Sequence, residues 1–224
     1  PKQGDVLVIF SAFYNRTPDG LINNRFGVDH ADITTPEYSS YNKITEKKWE
    51  ACRGLGFSFG YNQAEGPQHV IASDKLINLL GDIVSKNGNL LLNVGPKPDG
   101  TISDLQLQRL RDLGAWLKMN GEAIFGTRPW VRPDARTADG IDVRFTQKGN
   151  AVYALLLDRP KSREISIDSL VADSGSTVEL LGAPGALPWS QSARSLKLTL
   201  PEKLPGSHAL ALKISPKPWK LVRE

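Results

Sequence analysis

The chain has few of the residues that build disulfide frameworks and metal centres. Its 224 residues include a single cysteine, Cys52, and three widely separated histidines, His30, His69 and His208. One cysteine cannot form a disulfide within the chain, and the histidines lack the close spacing of zinc ligands. Gly54-Leu55-Gly56 lacks the third glycine of a nucleotide-binding loop. The sequence therefore predicts no internal disulfide, no metal site and no cofactor.

Long apolar runs and blocks of like charge are also missing. Apolar runs such as Val6–Phe10 are far shorter than the ~20 residues of a membrane-spanning helix. Lysine and arginine number 28 against 24 aspartates and glutamates, and no basic cluster stands out. We therefore expect neither a membrane span nor nucleic-acid binding. The chain does not begin with Met, so its compartment is left open (a bacterial periplasmic or secreted location is compatible), as is homo-oligomerisation.

The first 133 residues mix apolar runs with helical periodicity. Asn89–Val94 is a nearly continuous apolar run, typical of a buried strand in a parallel sheet. Apolar residues at helical spacing precede it, with Ser73 as predicted N-cap and Gly88 as predicted stop. A second helical pattern follows, and Ser103 and Gln106 have the spacing of a capping box at its start. This alternation predicts βα units.

From about Asp134 the periodicity becomes that of β-strands. Short stretches with alternating apolar residues are separated by turn sequences such as Lys148-Gly149-Asn150. The pattern is typical of an antiparallel β-sandwich of roughly ninety residues. Strands are predicted over Asp142–Gln147, Val152–Leu157, Glu164–Ile167, Thr177–Leu181, Leu196–Leu200 and Leu210–Ile214.

We therefore divide the chain into an α/β part, residues 1–133, and an all-β sandwich, residues 134–224. A (β/α)₈ barrel needs ~200–250 residues, which is more than the first part provides. The first part is either a smaller α/β fold or a portion of a barrel whose other strands lie elsewhere.

The stretch Leu21–Glu65 holds the residues best suited to chemistry. Arg25 lies between turn-forming residues, Glu37 follows a proline in a predicted loop, and Trp49-Glu50 precede the aromatic, glycine-rich run Gly54–Tyr61. Glycosidases need one carboxylic acid beside the glycosidic oxygen and a second carboxylate at the reacting carbon. They also use aromatic rings against apolar sugar surfaces and arginine for hydroxyls or charge.

Each candidate also has a purely structural interpretation. The charged residues are compatible with ordinary surface positions, and Glu50 with a buried ion pair to Arg53 or a lysine. The alternation of aromatic residues in Phe57–Tyr61 is typical of a strand with one face in the core. Residue spacing alone does not decide between these interpretations and a sugar site.

A series of motifs runs in a fixed order through the first part of the chain. They are Thr34–Tyr38, Lys48–Arg53, Phe57–Asn62, Gly88–Pro96, Pro98–Ile102 and Asn120–Trp130. In order and spacing the series resembles glycoside hydrolase family 29, the α-L-fucosidases. The resemblance implies that residues 1–133 are the C-terminal part of a TIM-like (β/α) barrel and that the family's C-terminal β-sandwich follows. It also implies retaining hydrolysis of terminal α-L-fucose from oligosaccharides or glycoconjugates, without a cofactor.

The resemblance implies a two-step mechanism in which an aspartate attacks and a glutamate acts as acid and then base. The glutamate of the family's Thr-Pro-Glu-Tyr motif falls on Glu37, and Glu50 is the second choice. The family's nucleophile and its fucose-binding histidines lie before the segment that matches Phe10–Arg16. Asp5 is too close to Phe10 to be that nucleophile. We therefore expect it outside this chain, in an N-terminal half that is covalently joined or a separate partner.

The predicted substrate-binding residues are Arg25, Phe59 and Trp49. The arginine of the family's Asn-Asp-Arg-Trp-Gly motif falls on Arg25, although Asn24 and Phe26 stand where the family has Asp and Trp. Phe59 falls on the aromatic position that packs against the C5 methyl group of fucose. This methyl group distinguishes fucose from galactose.

One segment and the overall function have competing interpretations. Val6–Phe10 is typical of a strand by composition, whereas the family has a helix there. The function is either that of an α-L-fucosidase represented by its C-terminal half, that of a non-catalytic carbohydrate-binding or structural fragment, or that of a hydrolase acting on another sugar. An isolated partial barrel would expose unpaired strand edges and apolar helix faces.

Overall fold

The structure, a computed structural model, describes residues 3–218. Its first part contains helix α1 (Gln3–Arg16), strand β1 (Trp49–Gly54), helix α2 (Ser73–Ser85), strand β2 (Gly88–Asn93) and helix α3 (Asp104–Asn120). Its second part contains strands β3 (Arg128–Arg136), β4 (Asp142–Lys148), β5 (Ala151–Leu156), β6 (Glu164–Asp168), β7 (Thr177–Leu180), β8 (Trp189–Gln191), β9 (Ser195–Thr199) and β10 (Leu210–Ser215).

The first part is built on parallel strand pairing. Strands β1 and β2 pair in parallel and are joined through α2, which forms a βαβ unit. Segment 33–37 runs parallel to β1 on its other side, with backbone bridges at Thr34 and Glu37. Asn23 in turn bridges in parallel to Ile33. The predicted helices and the strand near residue 90 are thus confirmed, and short segments extend the sheet.

The two faces of this parallel sheet differ. Trp49 and Ala51 of β1 pack on Ile83 of α2 in a buried cluster. The alternate residues of β1 and β2 point to the other face because side chains alternate along a strand. On that face Leu91 is 50% exposed. Helices therefore cover one face of the pair, and an apolar side chain is exposed on the other.

Residues 6–10 belong to helix α1, so the strand predicted from their composition is wrong. Val6 and Phe10 are one helical turn apart and pack with Ile22 in a small buried cluster. The intervening Leu7, Val8 and Ile9 are 57%, 70% and 52% exposed. The run is continuously apolar because apolar residues lie on both the packed side and the exposed side of the helix. This pattern is typical of a helix that is buried on all sides.

The second part is a sandwich of two antiparallel sheets. One sheet has the strand order β3-β4-β5-β10-β7 and the other has the order β6-β9-β8. Alternate residues of both sheets fill the space between them, as in other sandwiches. The predicted strands are confirmed, whereas β3 and β8 were not predicted. Strand β3 begins at Arg128, so the first sheet of the sandwich starts before the domain boundary predicted at residue 133.

The two parts share a core through strand β5, every residue of which is buried. Val152, Ala154 and Leu156 point into the sandwich. The alternate face packs on helices α2 and α3, in a cluster that includes Tyr153, Leu155, Ile77, Trp116 and Ala211. A sandwich folded by itself would expose this whole apolar face to water.

A largely buried ion cluster reinforces the same junction. The carboxylate of Asp82 on α2 accepts from the Nζ of Lys86 at 2.7 Å and from the Nε of Arg144 on β4 at 2.6 Å. The three side chains are 17%, 9% and 17% exposed, respectively. Helix α2 is thereby tied to the sandwich by charge as well as by apolar packing.

The predicted helix caps need correction. Ala72, not Ser73, is the N-cap of α2, because the Ser73 hydroxyl donates to Asp112 of α3 instead. Ser103 is the N-cap of α3, but no capping box forms: Gln106 accepts from the backbone N–H of Gly95. Helix α2 ends at Ser85, and Gly88 is the first residue of β2. For Ser73 and Gln106 a tertiary contact replaces the local one, whereas the end of α2 is closed locally by the backbone N–H of Lys86, which donates to the carbonyls of Ile83 and Val84.

Candidate active site

Arg25 and Glu37 meet in a close ion pair. The Nη1 of Arg25 lies 2.6 Å from the Oε1 of Glu37, and the two side chains are 47% and 45% exposed. The rest of the guanidinium is fixed by Thr35, whose Oγ1 accepts from Nε at 2.9 Å and whose carbonyl accepts from Nη2 at 2.8 Å. The guanidinium is thus held by segment 33–37 and is presented at the surface beside the glutamate.

Local hydrogen bonds in segment 23–26 place Arg25. The Oδ1 of Asn23 accepts from the backbone N–H of Arg25 at 3.0 Å and caps a single 3₁₀ turn. The Oδ1 of Asn24 accepts from the backbone N–H of Thr35 at 3.0 Å. An aspartate would offer the same acceptor, so the departure at Asn24 leaves the arginine in position.

Phe26 occupies the other departure from the family motif. Its ring is 45% exposed and meets the ring of Phe10 on α1 edge to face, with centroids 5.1 Å apart. The turn closes at Gly27, whose φ of 68° lies in the left-handed region that glycine adopts readily. Phe26 therefore packs back on helix α1 while Arg25 projects towards Glu37.

The position along the sheet separates the two acid/base candidates. Glu37 pairs with Cys52, towards the carboxyl end of β1. Glu50 is the second residue of β1 and therefore lies near the amino end of that strand. In parallel α/β sheets, functional groups gather at the carboxyl ends of strands. The sheet geometry therefore favours Glu37 over Glu50. An ion pair of Glu50 with Arg53 is not observed; Arg53 donates to the carbonyl of Gly54 and lies over the Tyr38 ring.

Phe57, Phe59 and Tyr61 lie in an irregular loop after β1, and not in the core-facing strand that their alternation indicated. The three side chains are 68%, 38% and 38% exposed. Phe59 meets the ring of Tyr38, the residue after Glu37, with centroids 5.3 Å apart. The structure thus brings Phe59 close to the segment that carries the Arg25–Glu37 pair.

Tyr38 is a residue of this region that the sequence did not single out. Its φ of 49° is unusual for a non-glycine residue. Its hydroxyl donates to the carbonyl of Gly56 and accepts from the N–H of Gly54, both at 3.1 Å. Tyr38 therefore links the segment of Glu37 to the start of the aromatic loop. The sequence signal that could have identified Tyr38 is its position directly after Glu37 in the motif Thr34–Tyr38.

Trp49 has a packing role. Its side chain is completely buried, its Nε1 donates to the carbonyl of Lys86 at 3.1 Å, and its ring meets Tyr41. A side chain without exposed surface cannot contact a sugar. We correct the prediction for Trp49 accordingly and do not carry it into the proposed substrate contacts.

A separate polar cluster holds the other end of segment 33–37 against α1. Asp32 accepts from the hydroxyl of Tyr14 at 2.6 Å and from the backbone N–H of Ile22 at 2.8 Å. These two hydrogen bonds lower the pKa of Asp32 below its usual range. Desolvation and the neighbouring Asp32 carboxylate raise the pKa of Tyr14 to about 12. The cluster lies at the end of the segment opposite Glu37.

A sizeable cleft lies away from these residues. A cleft of about 580 Å³ is lined by α2 and by the loops that flank β4 and β5, and none of the predicted site residues lines it. Within residues 3–218, no group of three His, Cys, Asp or Glu side chains is arranged to hold a metal ion. No helix in that range is both long and apolar enough to cross a membrane.

Comparison with known proteins places the chain in a family. The model of the α-L-fucosidase family matches residues 5–122, and that of the α-L-fucosidase C-terminal domain matches residues 137–215. Human tissue α-L-fucosidase is 33% identical over 208 residues, which cover 88% of this chain and 44% of that protein. Human plasma α-L-fucosidase is 36% identical over 201 residues, which cover 84% and 43%.

Solved structures give the same result. The Thermotoga maritima α-fucosidase in complex with a mechanism-based inhibitor is 43% identical with a TM-score of 0.88, covering 96% of this chain and 50% of that one. Its complex with fucose is 42% identical, with a TM-score of 0.86 and the same coverage. The chain spans about half the length of the relatives that it matches. By sequence and by fold, this chain belongs to the α-L-fucosidase family.

Proposed function

We propose that this chain is the C-terminal half of a retaining α-L-fucosidase and that Glu37 is its general acid/base. The observation that carries the proposal is the Arg25–Glu37 ion pair, whose atoms lie 2.6 Å apart on parallel segments of a fucosidase-family chain. Glu37 first donates a proton to the glycosidic oxygen as the bond to the anomeric carbon breaks. It then takes a proton from the water that releases fucose from the enzyme.

Arg25 orients the glutamate for these two proton transfers. The ion pair uses the Oε1 of Glu37, and we assign the second oxygen, Oε2, to proton transfer with the leaving group and with water. The hydrogen bonds from Thr35 hold the guanidinium plane, so Arg25 acts as a fixed support. The exposure of both side chains, close to one half, is compatible with a substrate that binds over them.

We further propose that the first part of the chain is the C-terminal portion of a (β/α) barrel. The exposed apolar residues Leu7, Val8 and Ile9 of α1 and Leu91 of β2 support this, because such side chains normally lie against neighbouring elements. The N-terminal half of the same enzyme, covalently joined or separate, would cover them. It would also supply the attacking aspartate, about 5–5.5 Å from Glu37 as retention requires, and the fucose-binding histidines.

Phe59 is assigned to the C5 methyl group of fucose. Its partial exposure and its contact with Tyr38 support a place at the sugar, near Glu37. In the complete enzyme, Phe59→Ala should reduce the preference for an α-L-fucoside over the matching α-L-galactoside. The expected loss is about 1–3 kcal/mol, the value of a buried methyl contact. An unchanged preference would contradict the assignment.

The assay that tests the function is hydrolysis of 4-nitrophenyl α-L-fucoside by the intact enzyme, purified with every chain that accompanies it. Intact mass spectrometry defines what is present in the sample. We expect hydrolysis that Glu37→Gln reduces, and retention of the anomeric configuration in the first product seen by NMR. Fucoside binding without hydrolysis would favour a non-catalytic carbohydrate-binding protein. Hydrolysis of another glycoside alone would favour a different sugar.

A further inference from the structure

We propose that Asn93 and Glu65 are positioning residues that clamp the loop carrying Phe59 and so set the preference for fucose. The inference rests on the proposed function, because it concerns how that same site recognises the C5 methyl group. Neither residue is placed in contact with the sugar. Both act on the backbone next to Phe59.

Asn93 holds the carbonyl side of Phe59. It is the last residue of β2, and its Nδ2 donates to the carbonyl oxygen of Phe59. Two residues later, Gly95 packs directly on the loop: a Cβ there would stand 2.7 Å from the backbone of Gly60 and Tyr61. The backbone after Phe59 is therefore pressed against the end of β2.

A buried glutamine on helix α3 holds the backbone of Gly95, the residue that packs against the loop. The side chain of Gln106 is 6% exposed, and its Oε1 accepts from the N–H of Gly95 at 3.2 Å. The segment Asn93–Gly95 thus has a fixed position relative to the helix layer. Contact with this segment gives the loop a rigid support.

Glu65 holds the amide side of Phe59. Its Oε1 accepts from the backbone N–H of Ser58 at 2.7 Å. The glutamate lies so close to Gly56 that a Cβ there would stand 1.9 Å from its Oε2. Asn62 adds a hydrogen bond from its Nδ2 to the Oγ of Ser58 at 3.1 Å. The chain is thus held on each side of Phe59.

The clamps matter because the loop has no strand ladder to hold it. Phe59 is 38% exposed, and its ring contact in this structure is the edge of Tyr38. Because few neighbouring side chains contact the ring, its position depends mainly on the position of the Phe59 backbone. Loss of a clamp should let the ring move away from the methyl group without removing any group that takes part in proton transfer.

The test measures a ratio of specificities in the complete enzyme. For each variant, kcat/KM is determined for 4-nitrophenyl α-L-fucoside and α-L-galactoside on the same sample, so the fraction of folded enzyme cancels. We expect Asn93→Ala and Glu65→Ala each to reduce the fucoside preference about 3–10-fold, within the roughly 10–200-fold that such a contact supplies. Glu65→Gln keeps an acceptor oxygen for Ser58 and should retain the preference.

Asn120→Ala is the matched control, because this buried asparagine also donates from Nδ2 to a backbone carbonyl, that of Trp116, on helix α3. It should alter stability and leave the ratio unchanged. In a Phe59→Ala background, Asn93→Ala should have no further effect on the ratio. If Asn93→Ala does not fold, Asn93→Asp, which keeps the size of the side chain and loses the donor, is measured with the same expectation.

An unchanged ratio in the Asn93 and Glu65 variants, or the same fall in Asn120→Ala, would overturn the proposal. A further fall in the Phe59→Ala background would also overturn it, because Asn93 would then not act through Phe59. Failure of the proposed function looks different: the wild-type enzyme would hydrolyse neither glycoside.

Discussion

The ion cluster between helix α2 and the sandwich gives a strong prediction about stability. Asp82 pairs with both Lys86 and Arg144. The substitution Asp82→Ala removes the carboxylate that these two cations share. The two cations have side chains that are 9% and 17% exposed. Water cannot fully replace the lost carboxylate at such positions, so the substitution leaves two poorly solvated positive charges side by side.

The size of the effect follows from this burial. Breaking a buried ion pair by removing one partner costs about 3–5 kcal/mol of the free energy of unfolding. For a protein of this size each kcal/mol corresponds to roughly 2–4 °C in Tm, so Asp82→Ala should lower Tm by roughly 6–20 °C. The control on the same helix is Asp74→Ala, whose partner Lys75 lies 3.8 Å away with both side chains more than half exposed. It should cost less than about 1 kcal/mol.

Thermal and urea unfolding, followed by circular dichroism and by tryptophan fluorescence, measure both variants. Because the two parts share the apolar cluster around Tyr153 and Trp116, we also expect the two probes to report one coincident transition. An Asp82→Ala variant as stable as Asp74→Ala would refute the role given to the cluster. Separate transitions for the two parts would refute the shared core.

Three smaller predictions concern the residues around the site. The hydrogen bonds from Tyr14 and Ile22 lower the pKa of Asp32, so their stabilisation is complete above about pH 5 and is lost as the pH falls through the ordinary range of an aspartate and below it. Asp32→Asn should therefore flatten the acid decline of Tm between about pH 5 and pH 2. Asn24→Asp keeps an acceptor for the N–H of Thr35 and should change stability by less than about 1 kcal/mol in urea denaturation. Tyr38→Phe leaves two part-buried backbone groups of the loop without their partner and should cost about 1–3 kcal/mol in the same assay.

Much of the fold could be predicted because its strands and helices follow their own periodicity. The sandwich strands alternate cleanly, since one face of each is buried. Strand β3 was missed because it contains Pro129 and Pro133 and its pairing with β4 shifts register between Pro129 and Asp134. The strand predicted at residues 6–10 is a helix, since an uninterrupted apolar run has no period that distinguishes the two. The capping box at Ser103 failed because Gln106 serves a tertiary contact.

The site was only partly accessible from sequence. The family motifs indicated Glu37, Arg25 and Phe59, but the eleven residues between Arg25 and Glu37 gave no sign that the two side chains touch. Parallel pairing of short backbone segments brings them together. Trp49 was misplaced because a tryptophan beside a candidate carboxylate fits a sugar platform as well as a core position. Asn93 and Glu65 act on loop backbone, and no residue pattern signals such contacts.

The most direct test of the central claim is the leaving-group dependence of Glu37→Gln in the complete enzyme. The variant keeps an oxygen for Arg25 and loses the acid. We predict a fall of about 10²–10⁴-fold in kcat/KM for a fucoside with a poor leaving group. The fall should be much smaller for 2,4-dinitrophenyl α-L-fucoside, which needs little protonation, and Glu50→Gln should remain close to wild type. If Glu37→Gln hydrolyses both substrates normally and Glu50→Gln shows the leaving-group dependence, Glu37 is not the acid/base.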